Sequence, residues 1–386
     1  MSDKFGFQQL VSLCKQTHGE MQRRAGHTVD TFLTIRNWLF GWYIVEYEQN
    51  GADRADYGKA TLKKLSKALH ENIGRGFSVD SLEQMRSFFV SYKSLLSAGE
   101  KSGTVFRISD LLISETVSRK LLKASEAGSI ERPAPVRERP DLVAQLAARL
   151  TLGWSHYVAL LTIENPAERR FYEIEAGQNS WSVRELERQI ASSLYERLSL
   201  SRNKEEVRRL SEKGLVVEKA KDIIKNPLVL EFLDLEEKSA YSEDELESAI
   251  INKIQGFLLE LGKGFLFEAR QKRFTFDNDH FYVDLVFYNR LLRCYVLVDL
   301  KRNKLTHQDL GQMQMYVNYF DRHVKTVDEL PTIGIVLCHR KNDALVELTL
   351  PKDANIFASK YQLYLPSKDE LKAQLEKIGA ELGDAR

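Results

Sequence analysis

Two aspartates and a lysine lie on segments that the sequence pattern predicts to be neighbouring strands. Asp299 and Lys301 are two residues apart in VLVDLKRNK, so they project from the same face of one strand. Both follow the apolar run CYVLV, where a charged side chain is unusual unless it is paired or used in chemistry. The preceding segment, FYVDLVFY, contains one acidic residue, Asp284. A hairpin turn centred on Leu291 and Leu292 would pair Asp284 directly with Asp299.

Two carboxylates that face each other repel, and a cation between them is the simplest way to relieve this repulsion. Oxygen ligands favour Mg²⁺ or Mn²⁺. A metal held by Asp284 and Asp299 would activate a water molecule, while Lys301 would position the nucleophile or offset developing negative charge. These residues therefore indicate metal-assisted hydrolysis of a phosphodiester. The Walker, GxSxG and HExxH motifs of competing chemistries do not occur in the sequence.

The helix predicted before these strands offers two candidates for a third metal ligand. Its apolar residues form one stripe along positions 246–261. On a helical wheel, Glu247 lies about 60° from the centre of that stripe and Glu260 about 80° from it, on opposite sides. The pattern favours Glu247 slightly and leaves Glu260 open. Either glutamate could instead lie on the solvated rim of the helix.

The helix predicted after Lys301 carries three polar residues at spacings of four. Gln308, Gln312 and Tyr316 share one face of that helix. Amide and phenol groups beside a metal site are suited to contact with a phosphate or a nucleobase. The same pattern is also typical of an ordinary polar helix face.

The elements that must position these side chains form a mixed α/β domain with an αβββαβ core. Its first helix begins at Ser242, which forms a capping box with Glu245. In chain order, the predicted elements are a helix at 242–261, strands at 265–269, 280–288 and 294–300, a helix at 306–320, strands at 332–338 and 362–365, and a helix from 367.

The first third of the chain is predicted to be helical. Helices at 7–24 and 29–49 precede a helix-turn-helix-like segment at 62–92, in which Gly74 and Gly76 form the turn. Four basic residues of this segment could bind nucleic-acid phosphates: Lys63, Lys64, Lys67 and Arg75. Two helices joined by a glycine turn are also common as plain packing.

The second helix of that segment begins near Ser78 or Asp80. Asp80 and Glu83 have the spacing of a capping box. The helix is predicted to continue to Tyr92.

Length and composition set the wider organisation. A chain of 386 residues with 43% hydrophobic residues can bury more than one core, so two domains are expected. The predicted boundaries are a helical domain at 5–190 with a DNA-binding or oligomerisation role, a helical connector at 191–240, an α/β domain at 241–370, and a C-terminal helix and tail at 371–386.

Charge and cysteine usage are typical of an intracellular protein. The net charge is +1, with the basic surplus in the first 140 residues, where contact with nucleic acid is therefore more favoured. The three cysteines, Cys14, Cys294 and Cys338, are too far apart in sequence to indicate a zinc site or a disulfide framework. No apolar run approaches the roughly 20 residues of a membrane span, and the first residues lack the order of a signal peptide. We expect a cytoplasmic protein without membrane contact.

The motifs resemble those of a known nuclease superfamily. Asp284, followed on a hairpin by the triplet DLK at 299–301, resembles the PD-(D/E)xK nucleases, with Asp in place of the commoner Glu and no proline before Asp284. The segment QMQMY at 312–316 resembles the QxxxY motif of the RecB-like branch. More closely, FLLELGKGF, FYVDLVFYNRLLRCYVLVDLK and GQMQMYVNYF, together with RNWLFGWYIVEYEQNG and YGKATLKKLSKAL, resemble the bacterial YhcG-type nucleases over nearly the whole chain.

This resemblance implies a Mg²⁺- or Mn²⁺-dependent DNA endonuclease with a DNA-binding helical domain at its N-terminus. Its active site would contain Asp284, Asp299, Lys301, Glu247, Gln312 and Tyr316, and the role implied is in DNA recombination, repair or defence. A homo-oligomer, as a dimer, is expected because cutting two strands needs two sites. One alternative is a non-catalytic DNA-binding or assembly protein that uses the nuclease fold as a scaffold. Another is that the N-terminal helices bind a protein partner.

Overall fold

A computed structural model describes residues 7–24, 29–50, 55–95, 142–200, 202–235, 241–351, 353–365, 367, 369 and 371. The chain divides into two compact units. The first comprises Met1–Arg169 and Ser180–Val183, and the second comprises Arg170–Asn179 and Arg184–Arg386. The helix predicted from 367 and the tail predicted at 371–386 lie almost entirely outside the described residues.

The first unit is helical in its described parts. Its helices are α1 (Phe7–Arg24), α2 (Val29–Asn50), α3 (Ala55–Asn72), α4 (Val79–Ser91), α5 (Leu142–Arg149) and α6 (Trp154–Leu160). Aromatic residues of α2 pack on α4, with the Trp38 and Phe89 ring centroids 5.1 Å apart. Gly41 allows this close approach, because a Cβ there would lie 2.0 Å from the Met85 carbonyl oxygen.

The α3–α4 segment contains the predicted glycine turn. Gly74 and Gly76 adopt φ values of 120° and 102°, which favour glycine. Of the two predicted starts of α4, Ser78 is confirmed, because its hydroxyl accepts a hydrogen bond from the Ser81 amide at 3.1 Å and α4 begins after it. The predicted capping box at Asp80 is wrong. The predicted phosphate-binding residues Lys63, Lys64, Lys67 and Arg75 are all exposed.

Helices α7 (Pro166–Gln178), α8 (Val183–Ala191), α9 (Leu194–Ser199) and α10 (Lys204–Lys213) follow in the chain. The second unit then forms a six-stranded sheet in the order β1-β6-β5-β4-β3-β2. Its strands are β1 (Leu228–Val229), β2 (Phe265–Phe276), β3 (Asp279–Asn289), β4 (Cys294–Lys304), β5 (Ile333–Arg340) and β6 (Ile356–Gln362). Strands β2, β3 and β4 pair antiparallel, and β4, β5, β6 and β1 pair parallel.

Helices cover both faces of this sheet. Helices α11 (Glu243–Asn252) and α12 (Ile254–Leu261) pack on one face, and α13 (His307–His323) packs on the other. Alternation along β4 supplies both cores, since Val296 and Val298 face α11 and α12 while Leu297 faces α13.

Several predicted boundaries in the second unit are wrong. Strand β2 continues to Phe276 instead of ending at residue 269, and β6 lies at Ile356–Gln362 instead of 362–365. Strand β1 and the short helix α14 (Asp343–Thr349) were not predicted. The capping box of Ser242 and Glu245 is confirmed, but the helix that it starts breaks at Lys253, whose ψ is 31°.

The hairpin of β3 and β4 opens into a fork. Its pairing runs from Asn289 with Cys294 to Leu285 with Val298, which confirms the turn predicted at residues 291 and 292. Beyond Leu285, β3 pairs only with β2, and beyond Val298, β4 pairs only with β5. Residues 270–284, which form the free two-stranded part of β2 and β3, are called the ribbon below.

Candidate active site

Asp284 and Asp299 lie where the two strands of the fork separate. The Leu300 amide, which has no partner on β3, donates a hydrogen bond to Asp284 Oδ2 at 2.8 Å. On the same strand, Lys301 Nζ lies 2.8 Å from Asp299 Oδ2. Asp299 is buried, with 2% of its surface exposed. The fork therefore brings together the three residues of the predicted Asp and Asp-x-Lys motifs.

Burial gives these two carboxyl groups unusual proton affinities. It raises the pKa of Asp299 to about 7, against the opposing effect of Lys301 and with a further contribution from the Asp284 charge. Burial also raises the pKa of Asp284, although the Leu300 amide and Lys301 both favour its ionised form. Burial lowers the pKa of Lys301, but the carboxylates of Asp299, Glu243 and Asp284 together raise it above its ordinary value. Asp284 and Asp299 are both partly desolvated, and Lys301 is the cation beside them. Two carboxylates with one lysine leave a negative charge uncompensated when both are ionised, so the site favours binding of a further cation.

Glu247 lies next to Asp284 through a bridging glutamine. The Gln271 side-chain amide donates to Glu247 and also to Asp284 Oδ1, the latter at 3.1 Å. Arg270 Nε donates to the second carboxylate oxygen of Glu247. Gln271 has a φ of 46°, which is rare for a residue other than glycine and is often found at functional sites. Glu247 is thus joined to the carboxylate pair by a hydrogen-bonded connection.

Glu260 lies in a different place. Its side chain is fully buried, with Oε1 2.5 Å from Arg197 Nη1 and Oε2 3.3 Å from Arg188 Nη2. The Val229 amide also donates to Glu260 Oε1 at 3.0 Å. Burial alone would raise the pKa of Glu260, but Arg197 and the nearby Lys225 lower it to about 2. Since Glu247 is also buried, at 2% exposure, the predicted alternative of a solvated rim is wrong for both glutamates.

The predicted polar face of α13 is divided between solvent and core. Tyr316 is buried, and its hydroxyl bonds the Gln312 side chain, whereas Gln308 is exposed. Burial raises the pKa of Tyr316, the Gln312 hydrogen bond lowers it, and the Asp299 charge raises it. Tyr316 therefore packs in the core between α13 and the sheet, with Gln312 hydrogen-bonded to its hydroxyl.

Three residues near these carboxylates were not predicted. They are Arg270, Gln271 and Glu243, whose Oε2 lies 3.9 Å from Lys301 Nζ and whose Oε1 accepts from the Arg302 amide at 3.1 Å. Gln271 lies between the β2–β3 pairs Arg270 with Leu285 and Lys272 with Val283, so a prediction that extended β2 would have placed it near Asp284. Nothing in the sequence pattern signals its left-handed backbone.

The donor set fits a hard divalent cation. Asp284, Asp299 and Glu247 offer only carboxylate oxygens, which Mg²⁺ and Mn²⁺ prefer. Asp299 Oδ2 is buried and has no well-aligned hydrogen-bond donor, although the Lys301 ammonium is close. In the described parts of the chain, no three His, Cys, Asp or Glu side chains converge as a ready-made metal site, since Arg270 and Gln271 hold the Glu247 oxygens.

Comparison with known proteins covers nearly all of this sequence. Residues 221–376 match the family described as YhcG PDDEXK nuclease domain, and residues 14–106 and 136–197 match the DUF1016 N-terminal domain. The chain is 36% identical over 380 residues to "Putative nuclease YhcG" of Escherichia coli (strain K12), which covers 98% of this chain and 96% of that relative. This chain belongs to the YhcG family of PDDEXK nucleases. The predicted resemblance of this chain to the YhcG-type nucleases is thereby confirmed.

A solved structure also shows a distant likeness to this YhcG-family chain. The crystal structure of a repair endonuclease from Pyrococcus abyssi is 20% identical and has a TM-score of 0.23. The match spans 33% of this chain and half of that chain. A likeness of this extent is too weak to support a fold or a function.

No helix among the described residues is long and apolar enough to cross a membrane.

Proposed function

We propose that this YhcG-family protein is a divalent-metal-dependent DNA endonuclease that hydrolyses phosphodiester bonds. The observation that supports this proposal best is the fork, where Asp284, Asp299 and Lys301 meet beside Glu247. Buried acids with raised pKa values are typical of functional sites, and phosphodiester hydrolysis uses this set of groups.

The side chains have distinct proposed roles in this reaction. Asp284, Asp299 and Glu247 would hold Mg²⁺ or Mn²⁺, which supplies an activated water and stabilises charge on phosphoryl oxygens. Lys301 donates to negative charge at the reacting phosphate once Asp299 is otherwise neutralised. Gln312 and Tyr316 of α13 would contact the substrate, and the Tyr316 hydroxyl would orient a phosphate oxygen.

The first unit has a proposed targeting role. The α3–α4 segment would contact DNA through Lys63, Lys64, Lys67 and Arg75, whose exposed side chains are available to phosphates. Together with the nuclease site, this supports a role in DNA recombination, repair or defence.

One observation favours a different function. The carboxylate oxygens of the site are held by Lys301, Arg270 and Gln271, as expected for a non-catalytic scaffold that retains the nuclease fold. The two proposals differ in whether Asp299 is needed for any reaction.

A cleavage assay separates them. Plasmid, linear, branched and single-stranded DNA would be incubated with Mg²⁺ or Mn²⁺, with EDTA as the metal-free control. The Asp299→Asn variant should lower metal-dependent cleavage by about a thousandfold. Asp279→Asn, a matched change at an exposed position of β3, should leave cleavage unchanged. Failure to cut any of these DNAs while DNA is still bound would favour the scaffold.

A further inference from the structure

The ribbon has one packed face and one open face. On the packed face, the Phe274 ring stacks on Tyr319 of α13 at a centroid distance of 4.0 Å and on Phe281 at 5.4 Å. Val283 on the same face is fully buried. These contacts hold the ribbon against α13 and leave its other face to solvent.

The open face leads along both strands to Asp284. Residues 273 and 275 of β2 and 280 and 282 of β3 share it, because side chains alternate between the faces of a strand, and Gln271 and Asp284 lie at its base. Arg273 pairs across the strands with Tyr282, and its guanidinium donates to His280 Nε2 at 3.0 Å. Thr275 Oγ1 lies 2.9 Å from His280 Nδ1, which fixes the imidazole ring. Tyr282 is 46% exposed, so its ring is available to a ligand.

The chemistry of this face is suited to an unpaired nucleic-acid strand. Arg273 offers a cation to a phosphate, and Tyr282 beside it offers an aromatic surface to a base. Acidic side chains occur at the ribbon tip, at Asp277 and Asp279, and then at Asp284, with none on the open face between them. Tyr282 is two residues from Asp284, a distance of about 7 Å along the strand. A base stacked on Tyr282 would therefore place its own backbone at the carboxylates.

We propose that the open face of the ribbon binds single-stranded DNA and guides it to the carboxylate site. This inference rests on the proposed nuclease function and adds the form of the substrate. Bases of an intact duplex are stacked on each other and cannot stack on Tyr282. The ribbon therefore selects DNA in which a strand is unpaired beside the scissile phosphate.

Binding can be measured without cleavage. The full-length Asp299→Asn protein in EDTA would be titrated with a fluorescent single-stranded oligonucleotide and followed by anisotropy. Adding Tyr282→Ala should weaken binding about tenfold, since one base can no longer stack, and Tyr282→Phe should restore it. Matched controls are Tyr364→Ala, which removes a similarly exposed tyrosine, and Arg290→Ala, which removes an exposed arginine at the other end of the β3–β4 hairpin. Both should bind like the parent.

Salt and substrate form test the two contacts separately. Arg273→Ala should reduce the slope of log affinity against log salt by about 0.7, the value for one phosphate contact on a single strand. Tyr282→Ala should leave that slope unchanged. A blunt duplex of the same length should bind equally well with and without the tyrosine.

A direct map of the contact comes from photo-crosslinking. An oligonucleotide containing iododeoxyuridine should crosslink to the peptide that contains Tyr282. Unchanged affinity in both Tyr282→Ala and Arg273→Ala, or crosslinks confined to other peptides, would overturn the ribbon proposal. So would a change in molecular mass in Tyr282→Ala without a change in DNA binding, which would make the ribbon a self-association surface. Ribbon-dependent binding in a protein that cuts no DNA would reject the nuclease function and leave the ribbon proposal standing.

Discussion

At the scale of single residues, the buried pair of Asp284 and Asp299 has an energetic effect that depends on pH. In the folded protein the pKa of Asp299 is raised from 3.8 to about 7. The folded state therefore holds a proton that the unfolded state has already lost. The free energy of unfolding should fall as pH rises between these two values, by up to about 1.4 kcal/mol for each pKa unit.

The check is a comparison with a variant that cannot ionise. Unfolding of the wild type and Asp299→Asn would be followed in EDTA at pH 5 and pH 8. The variant should gain stability relative to the wild type at pH 8, where the wild type must carry the buried charge. Parallel pH profiles would contradict the raised pKa of Asp299. Adding Mg²⁺ at pH 8 should restore stability to the wild type only.

Gln271 should affect metal affinity through the two acids that it bridges. Gln271→Ala removes the amide that orients Glu247 and Asp284, so the Mg²⁺ concentration for half-maximal cleavage should rise about 10- to 100-fold. Gln271→Gly should have the same effect, and its backbone tolerates the left-handed φ without strain. Gln308→Ala, an exposed glutamine on α13, is the control. An unchanged metal requirement in both Gln271 variants would remove this residue from the site.

At the scale of elements, the Glu260 ion pairs join α12 to α8 and α9. Glu260→Gln should destabilise the second unit by about 3–5 kcal/mol, because Arg197 would stay buried without its partner charge. Glu212→Gln, which breaks an exposed pair with Arg208, should cost less than about 1 kcal/mol. Circular dichroism during urea unfolding would measure both changes. Tryptophan fluorescence would report on the other unit, since the tryptophans, at 38, 42, 154 and 181, all lie in the first unit. Equal midpoints for the two variants would contradict the structural role of Glu260.

The α3–α4 segment makes its own prediction. Replacing Lys63 and Lys67 by alanine should weaken duplex binding and flatten its salt slope by about 0.9 for each phosphate that is no longer neutralised. Alanine at Lys204 and Lys213, two exposed lysines of α10, removes the same charge elsewhere. Unchanged affinity in the first double variant would reject the helix-turn-helix-like binding of DNA.

The hairpin was predictable because few registers fit its two strands. The apolar runs around Asp284 and Asp299, with one short turn between them, leave few ways to pair. The length of β2 was not predictable from its sequence. The ribbon packs on α13 on one side only, and the polar run EARQKR of β2 shows no clear alternation of apolar and polar residues. The helical-wheel angles that compared Glu247 with Glu260 assumed one continuous helix. The helix breaks at Lys253, so the two glutamates no longer share one helical axis. The partners of Glu260 come from residues far away in sequence, which no local pattern indicates.

At the scale of the whole molecule, the sequence boundaries and the packing do not coincide. The DUF1016 N-terminal match extends to residue 197, yet Arg188 and Arg197 bind Glu260 within the second compact unit. Leu228, Leu230 and neighbouring residues of the predicted connector also contribute to the core under α11 and α12. A fragment that begins at residue 241 would expose that core and leave Glu260 buried without its two arginines.

Self-association is the remaining expectation at this scale. Cutting both strands of a duplex requires two sites, so the proposed endonuclease should be a homodimer. Light scattering at the concentration of the cleavage assay would measure the mass with and without DNA. A monomeric mass in both conditions would refute the dimer.

The fork also determines how the active site can open. Asp299 lies on a strand that is hydrogen-bonded to β5, whereas Asp284 lies at the base of a ribbon whose backbone ladder pairs β2 only with β3. Bending at residue 285 would carry Asp284 with the ribbon. It would break the hydrogen bond from the Leu300 amide to Asp284 but no hydrogen bond between β4 and β5. Such a hinge costs less free energy than opening the central sheet. The gap between the two carboxylates is therefore set by the angle of the ribbon, and one wall of the site can adjust to an incoming strand while the other stays fixed.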